Sequence, residues 1–378
     1  MLFRLASAAA TAILLLTASA APTPTPSNST QTPGDGFPNP NATQLDAINR
    51  QADGTLSDAA PPAKLSNDSL PAFQLIAFNE NFEVAFFTSL LYNVTNDVPG
   101  FEVPWPAERA SLIGVLKTVL AQEELHALNA EGVLKHFGAS LVPEPCTYTF
   151  PTTRLGDAIA LAETFTSVVL GTLQDAAQLL AENGDAGPVR TIASVIGQEG
   201  EQNGFYRSLL NRKPSQKPFL TTSVAAFAFS VLQGFVVSCP FDIADIPIPI
   251  FPALSVESGL SAGGAANVEP IDQDLTFSAN LTGVADAAKL VGNATATEDS
   301  LFITYFTGQD SPLSESITNA SWAGDVLTFH AAFPYTDFVL DGLTIAALTV
   351  GQNFSSPDDV PAKTLAAPGL IQVNDPLI

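Results

Sequence analysis

The sequence predicts a mainly α protein: a bundle of four long helices followed by an antiparallel β-sandwich-like domain. Three observations carry this. Apolar residues recur every three to four positions through four segments between residues 71 and 211, Pro, Gly or Asn marks the ends of those segments, and beyond Gly259 the apolar period falls to two.

Taken in order, residues 1–20 read as a signal peptide. Arg4 supplies the positive start, an apolar run reaches Leu16, and Ala18-Ser19-Ala20 forms a small-residue cleavage site. Residues 21–64 are rich in Pro, Ser, Thr and Asn and are expected to be a flexible tail. The helical unit is placed at 65–255. Its first helix begins at Pro71 and carries Leu75, Phe78, Phe82, Phe86 and Leu90 on one face. A second helix starts at Pro106, which suits a first turn, and stops at Gly138. Residues 141–153, with three prolines and Cys146, form a crossover. Third and fourth helices cover 155–183 and 188–211. The apolar run 222–238 is expected to be a fifth, buried helix, and the alternating prolines of 246–252 must be extended. The β-rich domain, residues 256–378, has strand patterns at 275–279, 301–306, 326–330 and 343–348, separated by Gly, Asn, Asp and Pro.

The chain has 378 residues, more than one core usually serves. With 38 Asp and Glu against 14 Lys and Arg, its charge of −24 repels phosphate, which argues against nucleic acid and anionic membranes as partners. Cys146 and Cys239 are the two cysteines and lack metal or redox spacing, so one disulfide is expected, the alternative being two buried thiols. Sequons at Asn28, Asn41, Asn67, Asn93, Asn280, Asn293, Asn319 and Asn353 fit a glycosylated, secreted protein.

The chemistry-bearing pattern lies in the helices. Glu123 and His126 are three apart, so a carboxylate and an imidazole point the same way from one helix. The first helix offers Glu80 and Glu83, the third Glu163, and the fourth Glu199 and Gln202. Carboxylates buried together must share protons, meet cations or turn outward, and two divalent ions would satisfy four of them. Glu124, Glu131 and Glu201 read as solvated or salt-bridged helix formers, and His136 and His330 as structural or exposed. No phosphate loop, H-E-x-x-H or dinucleotide fingerprint is present.

Asn79-Glu80-x-x-Glu83-x-x-Phe86-Phe87, Glu123-Glu124-x-His126, Glu163 and Gln198-Glu199-x-x-Gln202 resemble the ferritin-like superfamily. From about residue 65 onward, including Phe235-Val-Val-Ser-Cys-Pro240 and Ala366-Ala-Pro-Gly-Leu-Ile-Gln-Val-Asn374, the chain is similar to the secreted fungal ferritin-like stress-response and late-sexual-development proteins, and more distantly to plant desiccation-related proteins. The resemblance implies a ferritin-like four-helix bundle with ligands Glu80, Glu123, His126, Glu163 and Glu199, and iron or manganese as cofactor. Glu80 is preferred over Glu83, which lies one turn away. Gln202 stands where a carboxylate-bridged oxidase has a second histidine, and an amide is a weak ligand. Two functions follow: a non-catalytic extracellular stress or developmental protein that holds metal, with cell-wall material as a partner of its β-domain, or a di-metal oxidase or ferroxidase-like enzyme.

Overall fold

The computed structural model describes residues 28–29, 33–284 and 301–377. The expected signal segment and Asn293 lie outside the described residues, as does the side chain of Asn28. Of the other sequons, Asn41, Asn67, Asn280, Asn319 and Asn353 are exposed and Asn93 is half-buried.

The expected tail contains a helix, α1 (Ala42–Gln51). Asn41 caps it by accepting from the Thr43 and Gln44 amides, and the Gln44 side chain returns the bond to the Asn41 amide. Ile48 and Ala52 then pack against Ala121. Composition obscured this element because so few apolar residues anchor it.

Four long helices follow: α2 (Leu70–Thr95), α3 (Pro106–His136), α4 (Leu155–Glu182) and α5 (Ala186–Leu209). Pro71 and Pro106 occupy first turns, where no intrahelical N–H is needed. Gly138 and Gly184 follow the ends of α3 and α4 with φ of +63° and +74°. The α2 helix packs on α3, and α4 on α5. Buried Phe82, Phe86 and Phe87 of α2 meet Phe165 of α4 edge-on, with centroids 5.0–5.9 Å apart.

The fifth helix is shorter than the apolar run implied. After α6 (Ala225–Leu232) the chain turns and enters β3 (Val236–Ser238), which pairs with β2 (Thr147–Thr149) in the crossover, β2 being paired on its other side with β1 (Asn28–Ser29). Consecutive valines favour the strand, and that pairing sets Cys239 beside Cys146. The two form a disulfide that closes a 93-residue separation. Its reduction is expected to lower stability by about 2–4 kcal/mol. Urea melts with and without reductant would show this, whereas an unshifted midpoint would mean the link constrains little.

The β region begins at β4 (Leu254–Val256), just ahead of the expected boundary. Two sheets form. One has order β10 (Thr318–Ala323), β11 (Val326–Phe333), β7 (Gln273–Asn280), β4; the other has order β5 (Leu260–Ala262), β6 (Ala265–Asn267), β13 (Thr364–Val373), β12 (Gly342–Val350), β8 (Leu301–Phe306), β9 (Leu313–Ser316). The second sheet is mixed rather than purely antiparallel, because β13 and β6 run parallel. Strand β11 alternates, burying Leu327, Phe329, Ala331 and Phe333. Strand β12 is buried on both faces. Ala346 and Leu348 pack with Phe277 and Phe329, while Leu343, Ile345 and Ala347 share a core with Val168 of α4 and Phe227 of α6. The helices and the β region thus have apolar core in common. Two glycines permit the approach: a Cβ at Gly171 would meet the backbone of residues 221–223, and one at Gly263 (φ +61°) the backbone of Ala160.

Candidate metal centre

Glu80 on α2, Glu123 and His126 on α3 and Glu199 on α5 come together in the helical interior, each offering a ligand atom within 4.8 Å of all the others. The helical repeat brings Glu123 Oε2 to 2.9 Å from His126 Nδ1, and Glu80 Oε2 and Glu199 Oε1 each lie 3.7 Å from the same nitrogen. The three carboxylates are at most 1% exposed. Glu80 Oε2, Glu123 Oε1 and both oxygens of Glu199 have no hydrogen-bond partner. Buried carboxylate oxygens are ordinarily paired, so this clustering of orphans could be met by shared protons or by a cation. Carboxylate oxygens with one imidazole suit iron or manganese.

Glu83, one turn after Glu80, also faces this group. It is fully buried, Asn79 Nδ2 donates to its Oε1 at 2.8 Å, and its Oε2 is unpaired. Tyr206, seven residues after Glu199 on α5, is buried beside these acids and bonds to Gln202 Oε1 at 3.4 Å. A search for ligand types passes over Tyr206; its two-turn offset from Glu199 is the signal that places it on the same face.

Glu163 is not among the four residues of the cluster, and Gln202 has its amide engaged by Gln122 and Tyr206. Glu163 accepts from Arg207 Nη1 at 2.7 Å, Arg212 Nη1 at 3.0 Å, and the Gln216 and Gln372 amides at 3.1 Å. Its charge is already answered. Gln202 donates to Gln122 Oε1 at 3.0 Å, which also accepts from Gln198 at 2.9 Å. Where a di-metal motif supplies a second Glu and a second Glu-x-x-His, this chain has an ion cluster and an amide network.

Among the other acids, Glu131 binds Lys135 and Glu201 is exposed. Glu124 is not solvated: it is 1% exposed, and burial pushes it up to about 9, with Asp35 of the N-terminal segment adding repulsion.

The electrostatics follow from burial. Glu80 is pushed up to about 7 by burial, with His126 opposing and Glu123 reinforcing. Glu83 and Glu199 are raised well above the carboxylate range, first by burial and then by one another's neighbours. Burial works against a charged His126, yet Glu123 and Glu80 hold its pKa well above the usual value. Asp175 is pushed up to about 7, mainly by burial. A carboxyl group whose folded pKa is raised contributes stability below its unfolded pKa, near 4, and loses it as pH rises through the folded value; raised His126 acts in the same direction. The metal-free protein is therefore expected to lose stability steadily between pH 5 and pH 9. Metal binds the deprotonated ligands, so added Mn²⁺ should stabilise more at pH 8 than at pH 5. Thermal melts across that range, with chelator and with Mn²⁺, check both signs; a metal-free melting point that rises toward pH 9 would contradict the assignment.

A cleft of about 230 Å³ reaches the cluster from the surface, lined by Glu80 and His126 together with Phe73, Ile76, Leu125 and Val195. Residues 55–57 form part of its wall.

Residues 70–212 match the family model of the ferritin-like domain. That span takes in all four long helices and every residue of the cluster. Among curated proteins there is no match.

Proposed function

With a ferritin-like domain over residues 70–212 as the starting point, we propose that this protein binds a divalent metal ion, iron or manganese, inside a four-helix bundle, held by Glu80, Glu123, His126 and Glu199. The supporting observation is the buried meeting of those four side chains with unpaired carboxylate oxygens. When bound, the ion supplies Lewis acidity and, if iron or manganese, access to redox chemistry. The chain's own part is to fix the four donors on three helices and keep bulk water away.

A second reading, a carboxylate-bridged di-metal oxidase or ferroxidase-like enzyme, draws support from Glu83, whose unpaired Oε2 adds a further donor, and from the cleft that reaches His126. The diversion of Glu163 to Arg207 and Arg212 weighs against it, since α4 then contributes no ligand. We place this chemistry in a secreted stress-response or developmental protein, with the β region facing cell-wall material; the disulfide and the exposed sequons support that setting.

Elemental analysis of the natively purified protein tests the reading. One iron or manganese per chain supports the single-ion site and two the di-metal reading, while none after anaerobic reconstitution removes both.

A further inference from the structure

The cleft over the cluster and a neighbouring one of about 270 Å³ share Leu56, Ser57, Phe73, Asn129, Thr191 and Ile192, so they adjoin, and together they make a groove walled on one side by residues 55–57 and 59–62. Along α5 its lining runs from Gly187 to Val195. That helical span corresponds to about 12 Å at 1.5 Å per residue. Glu80 and His126 are the charged side chains in its lining, and both sit at one end. The remaining walls are aliphatic, aromatic or neutral polar.

We propose that this groove binds an uncharged, elongated aliphatic molecule, its polar end toward the Glu80–His126 cluster and its chain along the wall of residues 55–57 and 59–62. The proposal takes from the metal reading only what stands at the polar end. Beyond Glu80 and His126 a charged ligand would find no counter-charge along these walls, and in the metal-free protein an anionic head would meet unpaired glutamate oxygens. A benzene-sized ring would underfill it, because about 150 Å³ already holds benzene and each half of this groove is larger. An extended alkyl chain fills the length and buries apolar surface along all of it, tightening binding roughly fourfold per methylene.

Calorimetric titration of the metal-free full-length protein with straight-chain alcohols from hexanol to dodecanol tests this. The dissociation constant should tighten roughly fourfold per carbon and then level off when the chain outgrows the groove. Octanoate should bind at least about tenfold more weakly than octanol. Ser194 lines the groove and is exposed, so Ser194→Trp should block binding while leaving the melting temperature and metal content unchanged. In the Mn²⁺-loaded protein, the carbinol carbon of bound octanol should be broadened more than the methyl carbon. Absence of chain-length dependence, unweakened binding to Ser194→Trp, or greater broadening of the methyl end overturns the proposal. Octanol binding without Mn²⁺ uptake would sink the metal reading and leave the groove standing; Mn²⁺ uptake without alcohol binding would do the reverse.

Discussion

Replacing His126 with alanine is expected to weaken metal binding by at least roughly 10–100-fold while leaving the fold in place. His126 is the only nitrogen donor of the cluster and lies at its centre, 2.9 Å from Glu123 and 3.7 Å from both Glu80 and Glu199. Its removal withdraws a ligand and leaves mutually repelling carboxylates that retain protons more tightly. Competition between metal and protons then shifts further toward protons. The side chain is 15% exposed at the mouth of the cleft, so truncation opens the cleft instead of hollowing a sealed core. Metal titration by calorimetry, beside circular dichroism of both proteins, measures the effect. An unchanged affinity with an unchanged fold would mean that any bound ion sits elsewhere.

Arg207→Ala should destabilise the protein by about 3–5 kcal/mol, the range found when one partner of a buried ion pair is removed. Arg207 is 2% exposed and links three parts of the chain: its Nη1 donates to Glu163 and Asn374, and its Nε to the Lys213 carbonyl at 2.6 Å. Without it Glu163 keeps Arg212 and the Gln216 and Gln372 amides, but Asn374 Oδ1 and the Lys213 carbonyl lose their arginine donor. Arg207→Met keeps most of the aliphatic stem and should recover only a minor part of the loss, because Asn374 Oδ1 and the Lys213 carbonyl stay without that donor. Urea unfolding of the two variants distinguishes this from simple loss of packing, which Arg207→Met would largely relieve.

The metal cluster and the Glu163 ion cluster differ in how much of them local sequence reveals. Glu123 and His126 are neighbours on one helix, so their convergence follows from the helical repeat. Glu80 and Glu199 could be added because each sits midway along an apolar helix. Glu163 offered the same local pattern and went elsewhere, since its partners Arg207, Arg212 and Gln372 lie 44, 49 and 209 residues away. No periodicity reports on such distances. The long helices were legible to within a few residues because Pro71, Pro106, Gly138 and Gly184 mark their ends. Helix α1 was hidden in polar composition, although Asn41 followed by Gln44 is a capping-box signature. Strand β13 was missed as a strand because Pro368 and Gly369 interrupt it, residues that ordinarily demote a strand. It persists because β12 and β6 pair with it on either side and a buried core covers it.

The apolar core in which β12 meets α4 and α6 has a thermodynamic corollary. A β region that unfolded first would expose Val168 and Phe227 and strip Gln372 and Asn374 from the Glu163 cluster. Neither part then has a self-sufficient intermediate to occupy. Heating should produce one endotherm whose calorimetric and van't Hoff enthalpies agree, despite a chain length at which separate transitions are common. The helical segment produced alone, ending before Leu254, would be left with a greasy flank and would be prone to self-association in place of folding as an independent module.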